Sequence, residues 1–455
     1  MGNTAQHTID SDSDTFTGPV FRLGDPGYDE EIAGFQTAYT HRPALVVGAV
    51  HAEDVRAAVE YAARQDLPVA VQATGHGLSV AADGGVLIST RRMTGLDIDP
   101  EAKTARVGAG VRAGALVEAA AAHGLAPLNG SSPSVGVVGY LLGGGIGLLA
   151  REFGYAAEQV RAIELVTPDG RVRKLVPGDE LFGAVLGSGG NFGVVTAVEL
   201  ALLPVTEVYG GQLVFDTPLV EQALEVWRQW TATVPDQLTS TVATLTFPDI
   251  PQVPAPLRGR YVASFRVAFN GSAAEGERLV APLRAVGDRL KDDLRTMPYT
   301  ESHTIHSDPD HPHAYAATNA LLGEFTLETL SALLVAAGPD SGTDAVVDLR
   351  HLGGALSSAS GNGNVVDHRD AAYIVRVITD PADITAAKEK IRSALAPWTI
   401  GHSLNFLYGA GADADDAQTR AGYAPDTYAH LTQLKANYDP RNMFRFNRNI
   451  RPAAS

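Results

Sequence analysis

Val71-Gln72-Ala73-Thr74-Gly75-His76-Gly77-Leu78-Ser79 is the stretch on which this chain turns. It leaves an apolar run, Leu67-Pro68-Val69-Ala70-Val71, and ends in small residues. Gly75 and Gly77 have no Cβ, so the backbone there can take positive φ and a ligand can approach it closely. Successive N–H groups in such a loop form a concave anion site. A single histidine stands between the two glycines. One glycine loop is a weak motif, and alone this one reads as a strand-to-loop turn with a surface histidine. The neighbouring segments decide otherwise.

Upstream, Pro43–Val47 reads as a strand, and Val55, Ala58, Val59 and Ala62 fall on one face of a helix. With the strand Leu67–Val71 this is a β-α-β unit that ends in the glycine loop, a place for a nucleotide. Downstream come short strands at Val86–Ile88, Leu96–Asp99 and Thr104–Val107. Gly108-Ala-Gly-Val-Arg-Ala113 then runs into an Ala-rich helix, Ala115–His123, in the strand–GxGxxA–helix pattern of an NAD(P) site. That site wants an acidic residue about 20 positions on to bind the ribose. No Asp or Glu lies between Glu118 and Glu152, so close packing at a helix start explains these glycines better.

Two further glycine loops follow. Residues 129–147 hold Gly136, Gly139, Gly143, Gly144, Gly145 and Gly147 among Val, Leu and Ile. This predicts neither a compact helix nor a strand, but a buried loop laid against a large planar or phosphorylated ligand, unlike a solvated Gly/Ser tether. After the strand Val160–Pro168 and the turn Asp169-Gly170, the third loop, Gly187–Thr196, enters the strand Val194–Leu203. Three such loops in half the chain are far more specific than one.

From about Tyr209 the texture changes. Tyr261, Ala263, Phe265, Val267 and Phe269 alternate along a strand, and Val346–Arg350, Ala372–Ile378 and Thr399–Phe406 add strands. Leu219–Thr231, Ala273–Gly287, Phe325–Ala337 and Pro381–Ala396 read as helices. The expectation is an open sheet covered on one face by helices. Residues 1–40 read as an arm. A last helix, a Tyr-Asp-Pro turn and an aromatic, Asn-rich tail fill 423–450, and so much aromatic content predicts a docked tail.

At 455 residues the chain exceeds what one core usually organises. A net charge of −17 disfavours nucleic acid, whose binding rests on Lys and Arg neutralising phosphates. The absence of cysteine excludes disulfides, thiol nucleophiles and cysteine-ligated metals. No apolar run reaches membrane-spanning length, and the polar N-terminus lacks a secretory h-region, so a soluble cytoplasmic protein with no membrane partner is expected. His303, His306, His311 and His313 with Asp308 and Asp310 offer zinc-ligand chemistry, but irregular spacing and two prolines favour a solvated loop near a substrate entrance, with no metal.

Thr74–Ser79, Gly136-Val-Val-Gly139 with Gly143-Gly-Gly-Ile-Gly147, Gly189-Gly-Asn-Phe-Gly-Val-Val-Thr196 and Tyr438-Asp-Pro-Arg-Asn-Met-Phe444, in this order, resemble the berberine-bridge-enzyme-like oxidases. These are FAD-linked members of the vanillyl-alcohol-oxidase superfamily, whose bacterial branch includes hydroxynicotine, sugar and polyketide-tailoring oxidases. The resemblance implies an α+β chain: a PCMH-type FAD-binding domain at 1–205, a substrate domain with a large antiparallel sheet covered by helices at 206–408, and a segment at 409–455 that completes the FAD domain. It assigns FAD contacts to Thr74, Gly75, His76, Gly77, Leu78, Ser79, Ser134, Val135, Gly136, Gly139, Gly143, Gly144, Gly147, Gly193, Val195, Asn447 and Asn449. His76 matches the histidine bonded to the flavin 8α-methyl carbon. The cysteine that adds a second bond in many members is replaced here by Ser132, so a single link is implied. Gln72 and Thr74 replace the usual arginine and first glycine of the diphosphate loop.

The family's tyrosine base falls on Ser403, in Ser403-Leu404-Asn405-Phe406, and a serine hydroxyl is a poor base near neutral pH. Tyr408, Tyr373 and Tyr140, with Asn405, are the catalytic candidates, beside His402 and His351; Tyr373 and His351 read equally well as strand core. The implied reaction is hydride transfer from a C–H beside O or N of a small molecule to FAD, with dioxygen reoxidising the flavin to give hydrogen peroxide. A neutral or cationic substrate, such as an alkaloid, a sugar or another secondary metabolite, suits the acidic chain, acting as a monomer or homodimer. The alternative is a flavin-containing cyclase or other non-redox tailoring enzyme.

Overall fold

The computed structural model describes residues 15–359, 361–407 and 416–454. Its strands form three sheets that follow one another along the chain. The first holds β1 (Val20–Phe21), β2 (Leu45–Gly48), β3 (Val69–Gln72) and β4 (Val86–Ser89), in the order β1-β2-β4-β3 with β2, β4 and β3 parallel. The helix Ala52–Arg64 makes the crossover from β2 to β3 and buries Val55, Ala58, Val59 and Ala62, the face its periodicity marks. Covered on both sides, β2 and β4 are buried throughout, which is why they read as continuous apolar runs.

The second sheet is antiparallel: β5 (Leu96–Asp99), β6 (Thr104–Gly108), β7 (Val160–Val166), β8 (Val172–Leu175) and β9 (Val194–Ala201), in the order β5-β6-β9-β7-β8. The helix Ala52–Arg64 touches β2 and β4 on one side and β7 and β9 on the other. One apolar core unites both sheets, and Leu431, Leu434, Met443, Phe444 and Ile450 of the C-terminal segment belong to it.

The third sheet is also antiparallel. It comprises β10 (Glu207–Asp216), β11 (Leu238–Thr246), β12 (Tyr261–Phe269), β13 (Lys291–Asp292), β14 (Arg295–Pro298), β15 (Ala316–Leu322), β16 (Val346–His351), β17 (Tyr373–Thr379) and β18 (Thr399–Gly401). The order is β13-β10-β12-β11-β16-β17-β15-β18, with β14 also on β10. Tyr261, Ala263, Phe265, Val267 and Phe269 share a core with the helices Val220–Thr231, Ala273–Arg284, Leu327–Ala337 and Ile384–Leu395. The residues between them on the strands, Arg266 in β12, Asp348 and Arg350 in β16 and Arg376 in β17, face away from the helices. The α+β class and the helix-covered antiparallel sheet are as expected.

Three local expectations need correction. Residues 129–147 do contain a helix, Val137–Leu142, because Val137, Val138, Leu141 and Leu142 recur at helical spacing and all become buried. The strand expected over Thr399–Phe406 ends at Gly401. Beyond it the Asn319 side chain takes over the ladder, accepting from Ser403 N at 2.8 Å and donating to Ser403 O at 2.9 Å. The 301–315 segment is not simply a solvated loop: Tyr299–Ile305 is a 3₁₀ turn, and His306 is buried while His303 and His311 are exposed. Among the described residues no cluster could hold a metal, and no helix is long and apolar enough to cross a membrane.

Candidate functional site

The three glycine loops converge on one cavity of about 480 Å³, closed on its far side by the helix-free face of the third sheet. Thr74, Gly75, His76, Gly77, Leu78, Ser79, Val135, Gly136, Gly139, Gly143, Gly193, Val195 and Asn447 all line it, and so do Tyr140 and Asn405. Ser134, Gly144, Gly147 and Asn449 do not. Ser134 stands behind His76. Gly144 and Gly147 shape the loop from behind: an added Cβ would meet Val366 Cγ2 at 2.8 Å and Asn129 O at 2.6 Å, respectively. Tyr373 lies on the opposite face of the sheet, its hydroxyl 2.6 Å from Thr231 Oγ1 in the helix-side core, which removes it from the chemistry. His351 shares that face and takes a 2.9 Å bond from Arg151. Tyr408 lies outside the described residues.

The loop at 71–79 is braced from below. Gln72 is buried, donating to Ile32 O at 3.0 Å and meeting His41 Nε2 at 3.1 Å. At Gly75 φ is 71°, and a Cβ would strike Gly34 Cα at 2.6 Å, since Phe35 N and Gln36 N bond Thr74 O and Gly75 O. The glycines of the other dinucleotide-like pattern have a packing role: a Cβ on Gly108 would lie 2.5 Å from Met93 O, and one on Gly110 would collide with Thr90 O.

His76 is held on three sides. Its Nε2 lies 2.9 Å from Ser134 Oγ, which is 3.0 Å from Ser132 Oγ. Its ring stacks on Phe35 with centroids 3.6 Å apart and 15° between planes. Its carbonyl accepts from Tyr315 Oη at 2.6 Å. Burial, and then Arg112, push its pKa down to about 4 against the pull of Asp308, so the imidazole is neutral at physiological pH.

Does such a cavity suit a flavin dinucleotide? Gly77, Gly139, Gly189 and Gly190 line it with open space where a Cβ would stand, so their backbones can approach a ligand that a side chain would hold off. Asn447 Oδ1 and the Tyr140 hydroxyl are buried polar atoms without a partner among the described residues, on the same walls. Buried polar groups of this kind call for a partner. The chemistry of the walls therefore fits FAD.

On the sheet side the cavity meets Arg350 and Arg376, both stacked on Phe406. Asn405 Nδ2 donates to Tyr140 O at 3.0 Å and packs so close to Gly143 that only glycine fits there. Burial raises the Tyr140 pKa, and burial first, then Arg266, hold His306 neutral. Asp308 accepts from Ser131 Oγ. Sequence reasoning missed Phe35, Arg350, Arg376 and the two residues that fasten the tail. Asn191, fully buried in the third glycine loop, donates to Arg448 O at 3.0 Å and accepts from Ile450 N at 2.9 Å. Lys435 Nζ bonds Asn191 O, Asp439 Oδ2 and Phe444 O at 2.6, 2.7 and 3.0 Å. The Gly-Gly-Asn-Phe-Gly and Tyr-Asp-Pro signatures are thus two halves of one joint.

Residues 43–175 match the FAD binding domain family, and residues 413–451 match the berberine and berberine-like family. The chain is 27% identical to (R)-6-hydroxynicotine oxidase of Paenarthrobacter nicotinovorans, over 96% of this chain and 97% of the relative. It is 26% identical to an FAD-linked oxidoreductase of Bacillus subtilis, over 97% and 99%. Among solved structures, 6-hydroxy-D-nicotine oxidase of Arthrobacter nicotinovorans superposes with a TM-score of 0.81 at 25% identity, covering 96% of this chain and 98% of that one. A xylooligosaccharide oxidase of Myceliophthora thermophila shares the fold, with a TM-score of 0.85 at 18% identity and coverage of 98% and 100%. Fold, cavity and relatives define an FAD-linked oxidoreductase. Within that class the chain carries the berberine and berberine-like domain and resembles the berberine-bridge-enzyme-like oxidases, and its cofactor is FAD.

Proposed function

We propose that this enzyme oxidises a small molecule at a C–H beside oxygen or nitrogen, that dioxygen is the final acceptor, and that FAD is tethered to the chain by one covalent bond, through His76. Bound FAD supplies the hydride acceptor; the protein positions it and excludes water. His76 carries this reading. It stands on the glycine-loop wall, neutral and locked in place between the two glycines. With Nε2 engaged by Ser134, Nδ1 remains to form the bond. Ser132, where a second tether would start, is a hydroxyl bonded to Ser134 and not a thiolate. Residues 1–205 and 409–455 would hold the cofactor and 206–408 the substrate. That two oxidases of similar fold are named for hydroxynicotine and xylooligosaccharide leaves a wide substrate range for this scaffold.

Of the base candidates, Tyr140 keeps its proton because burial opposes the phenolate, and it serves as a hydrogen-bond donor to what the cavity holds. Ser403 is fixed by Asn319 through its backbone. Acid precipitation tests the tether: the wild-type pellet stays yellow, whereas His76→Ala releases its flavin to the supernatant. A His76→Ala pellet that stays yellow would assign the bond elsewhere. Hydrogen peroxide formed in step with substrate oxidation tests the acceptor.

A further inference from the structure

Resting on the oxidase reading above, we infer that the substrate presents an O–H or N–H group to Asp308, whose carboxylate accepts it and receives its proton as the adjoining C–H is oxidised. Asp308 is the only carboxylate among the described residues that line the flavin cavity. It stands beside the tether. Its Oδ2 accepts from Ser131 Oγ, in the loop whose Ser132 and Ser134 lead to His76 Nε2. Its charge is felt at His76, where it pulls the imidazole pKa upward. Oδ1 has no hydrogen-bond partner among the described residues, which leaves it for what the cavity holds.

The backbone aims this carboxylate from both sides. Ser307 has φ 52°, in the left-handed region that serine seldom enters. It is fastened there, its N donating to His303 O at 3.0 Å and its hydroxyl to Thr304 O at 2.9 Å. Pro309 follows, and a residue before proline is confined to extended backbone. Upstream, Tyr299 Oη docks the 3₁₀ turn on Asn129 Oδ1 at 2.8 Å. Downstream, His313 N bonds Phe35 O at 3.1 Å, and Thr37 N bonds His313 O at 3.0 Å. Backbone held in a sparsely populated conformation by its surroundings is characteristic of functional sites.

The chemistry fits the group. The substrate C–H bond breaks and its electron pair goes to bound FAD as hydride. The O–H or N–H bond breaks, its pair forms the C=O or C=N bond, and its proton moves to Asp308 Oδ1 and then to water. The substrate loses two electrons and FAD gains them. As the hydride departs, the O–H or N–H left on an electron-poor centre becomes strongly acidic, so a carboxylate is base enough. Burial works to raise the Asp308 pKa, but the Ser131 hydroxyl and nearby Arg266 and Arg376 outweigh it, and the group is ionised. Other titratable side chains on the walls are engaged elsewhere. His41 bonds Gln72 and Ala82 N beneath the loop, His76 is committed to the tether, and Tyr140 keeps its proton. His313, whose Nδ1 lies 2.9 Å from His311 O, is the rival.

The test compares phenol with its methyl ether, anisole, on the purified, flavin-loaded enzyme, read by the flavin visible spectrum. Phenol offers an O–H and has no oxidisable C–H beside it. It is expected to shift the spectrum saturably and to bind at least about tenfold more tightly than anisole, as a donor to an ionised acceptor should. Asp308→Ala should weaken phenol about tenfold with little effect on anisole. Asp308→Asn, which keeps the size and an acceptor without the charge, should fall between, whereas His313→Gln should keep the preference. Equal affinity for the two probes, no saturable response to phenol, wild-type phenol affinity in Asp308→Asn, or loss of the preference in His313→Gln would each overturn the inference. A group that does not hold the donor cannot receive its proton, so these results remove the base as well. The Asn variant keeps the test decisive where Asp308→Ala fails to fold. Failure of the oxidase reading is separately visible, as a protein that purifies without flavin absorption.

Discussion

At the scale of single residues the site depends on groups that are buried and partly unsatisfied. The Tyr140 hydroxyl has no acceptor among the described residues, and an unsatisfied buried hydroxyl costs about 1–3 kcal/mol. Tyr140→Phe is therefore expected to keep or slightly raise the melting temperature of the flavin-free protein while lowering kcat, by about tenfold if the lost hydrogen bond is worth about 1.4 kcal/mol in the transition state. A melting temperature that drops by several degrees would show the hydroxyl to be structural. Ser134→Ala removes the 2.9 Å hold on His76 Nε2 but leaves the Phe35 stack. It should lower the fraction of flavin retained after acid precipitation without emptying the site. His76 was legible because two glycines flank it in sequence. Arg350 and Arg376 were not, because Val346-Val347-Asp348-Leu349-Arg350-His351 has the period of a strand with one wet face. Only the register of the folded sheet shows that this face meets a cavity and not solvent.

At the scale of elements, the C-terminal segment is fastened to the third glycine loop around a buried ion pair. Lys435 and Asp439 are one helical turn apart and essentially inaccessible. Asp439 also accepts from Met443 N and Phe444 N, at 2.8 and 3.0 Å, so its charge shapes the turn into the tail. Lys435→Met leaves that carboxylate buried without its cation, a change that costs about 3–5 kcal/mol. Urea denaturation should move to a lower midpoint, and flavin should be lost at urea concentrations the wild type tolerates. The aromatic tail announced its docking through composition, but this pin was invisible because a lysine four residues before an aspartate usually marks a solvated helix face. Elsewhere the amphipathic helices of the second half were legible, since each buries one stripe. β11 was not: Leu238-Thr-Ser-Thr-Val-Ala-Thr-Leu-Thr246 is buried along most of its length on both faces, so its polar and apolar residues carry no alternation.

Over the whole molecule, the buried histidines set a direction for acid stability. His41 is shifted down by burial, His76 and His402 to about 4 and His351 to about 3, all with burial as the main cause, and His306 is likewise held neutral. Their unfolded pKa is about 6.5. Between that value and the folded one the unfolded chain binds more protons, so stability rises with pH there. The contribution of these groups is complete above about pH 6.5 and is lost as pH falls toward 4, by up to about 1.4 kcal/mol per pH unit for each. Salt-bridged carboxylates such as Asp348 and Glu31, whose pKa values are lowered below the usual range despite burial, give way only further down. Surface repulsion acts the other way, because the net charge of −17 shrinks toward the pI near 5.2. That repulsion is spread over exposed groups and screened beyond about 8 Å at physiological salt, whereas the buried imidazoles are not. The histidines therefore win, and urea midpoints at 0.15 M salt should be highest above pH 6.5 and fall steadily from there to pH 4.5. His351 offers the control. Its Nε2 accepts from Arg151, so a proton there would face a guanidinium, while His351→Gln retains an acceptor that cannot titrate. That variant should flatten the slope between pH 6 and 4.5 by about 1.4 kcal/mol per unit. A wild-type stability maximum near pH 5.2 would mean that surface charge, not the buried histidines, governs the molecule's response to acid.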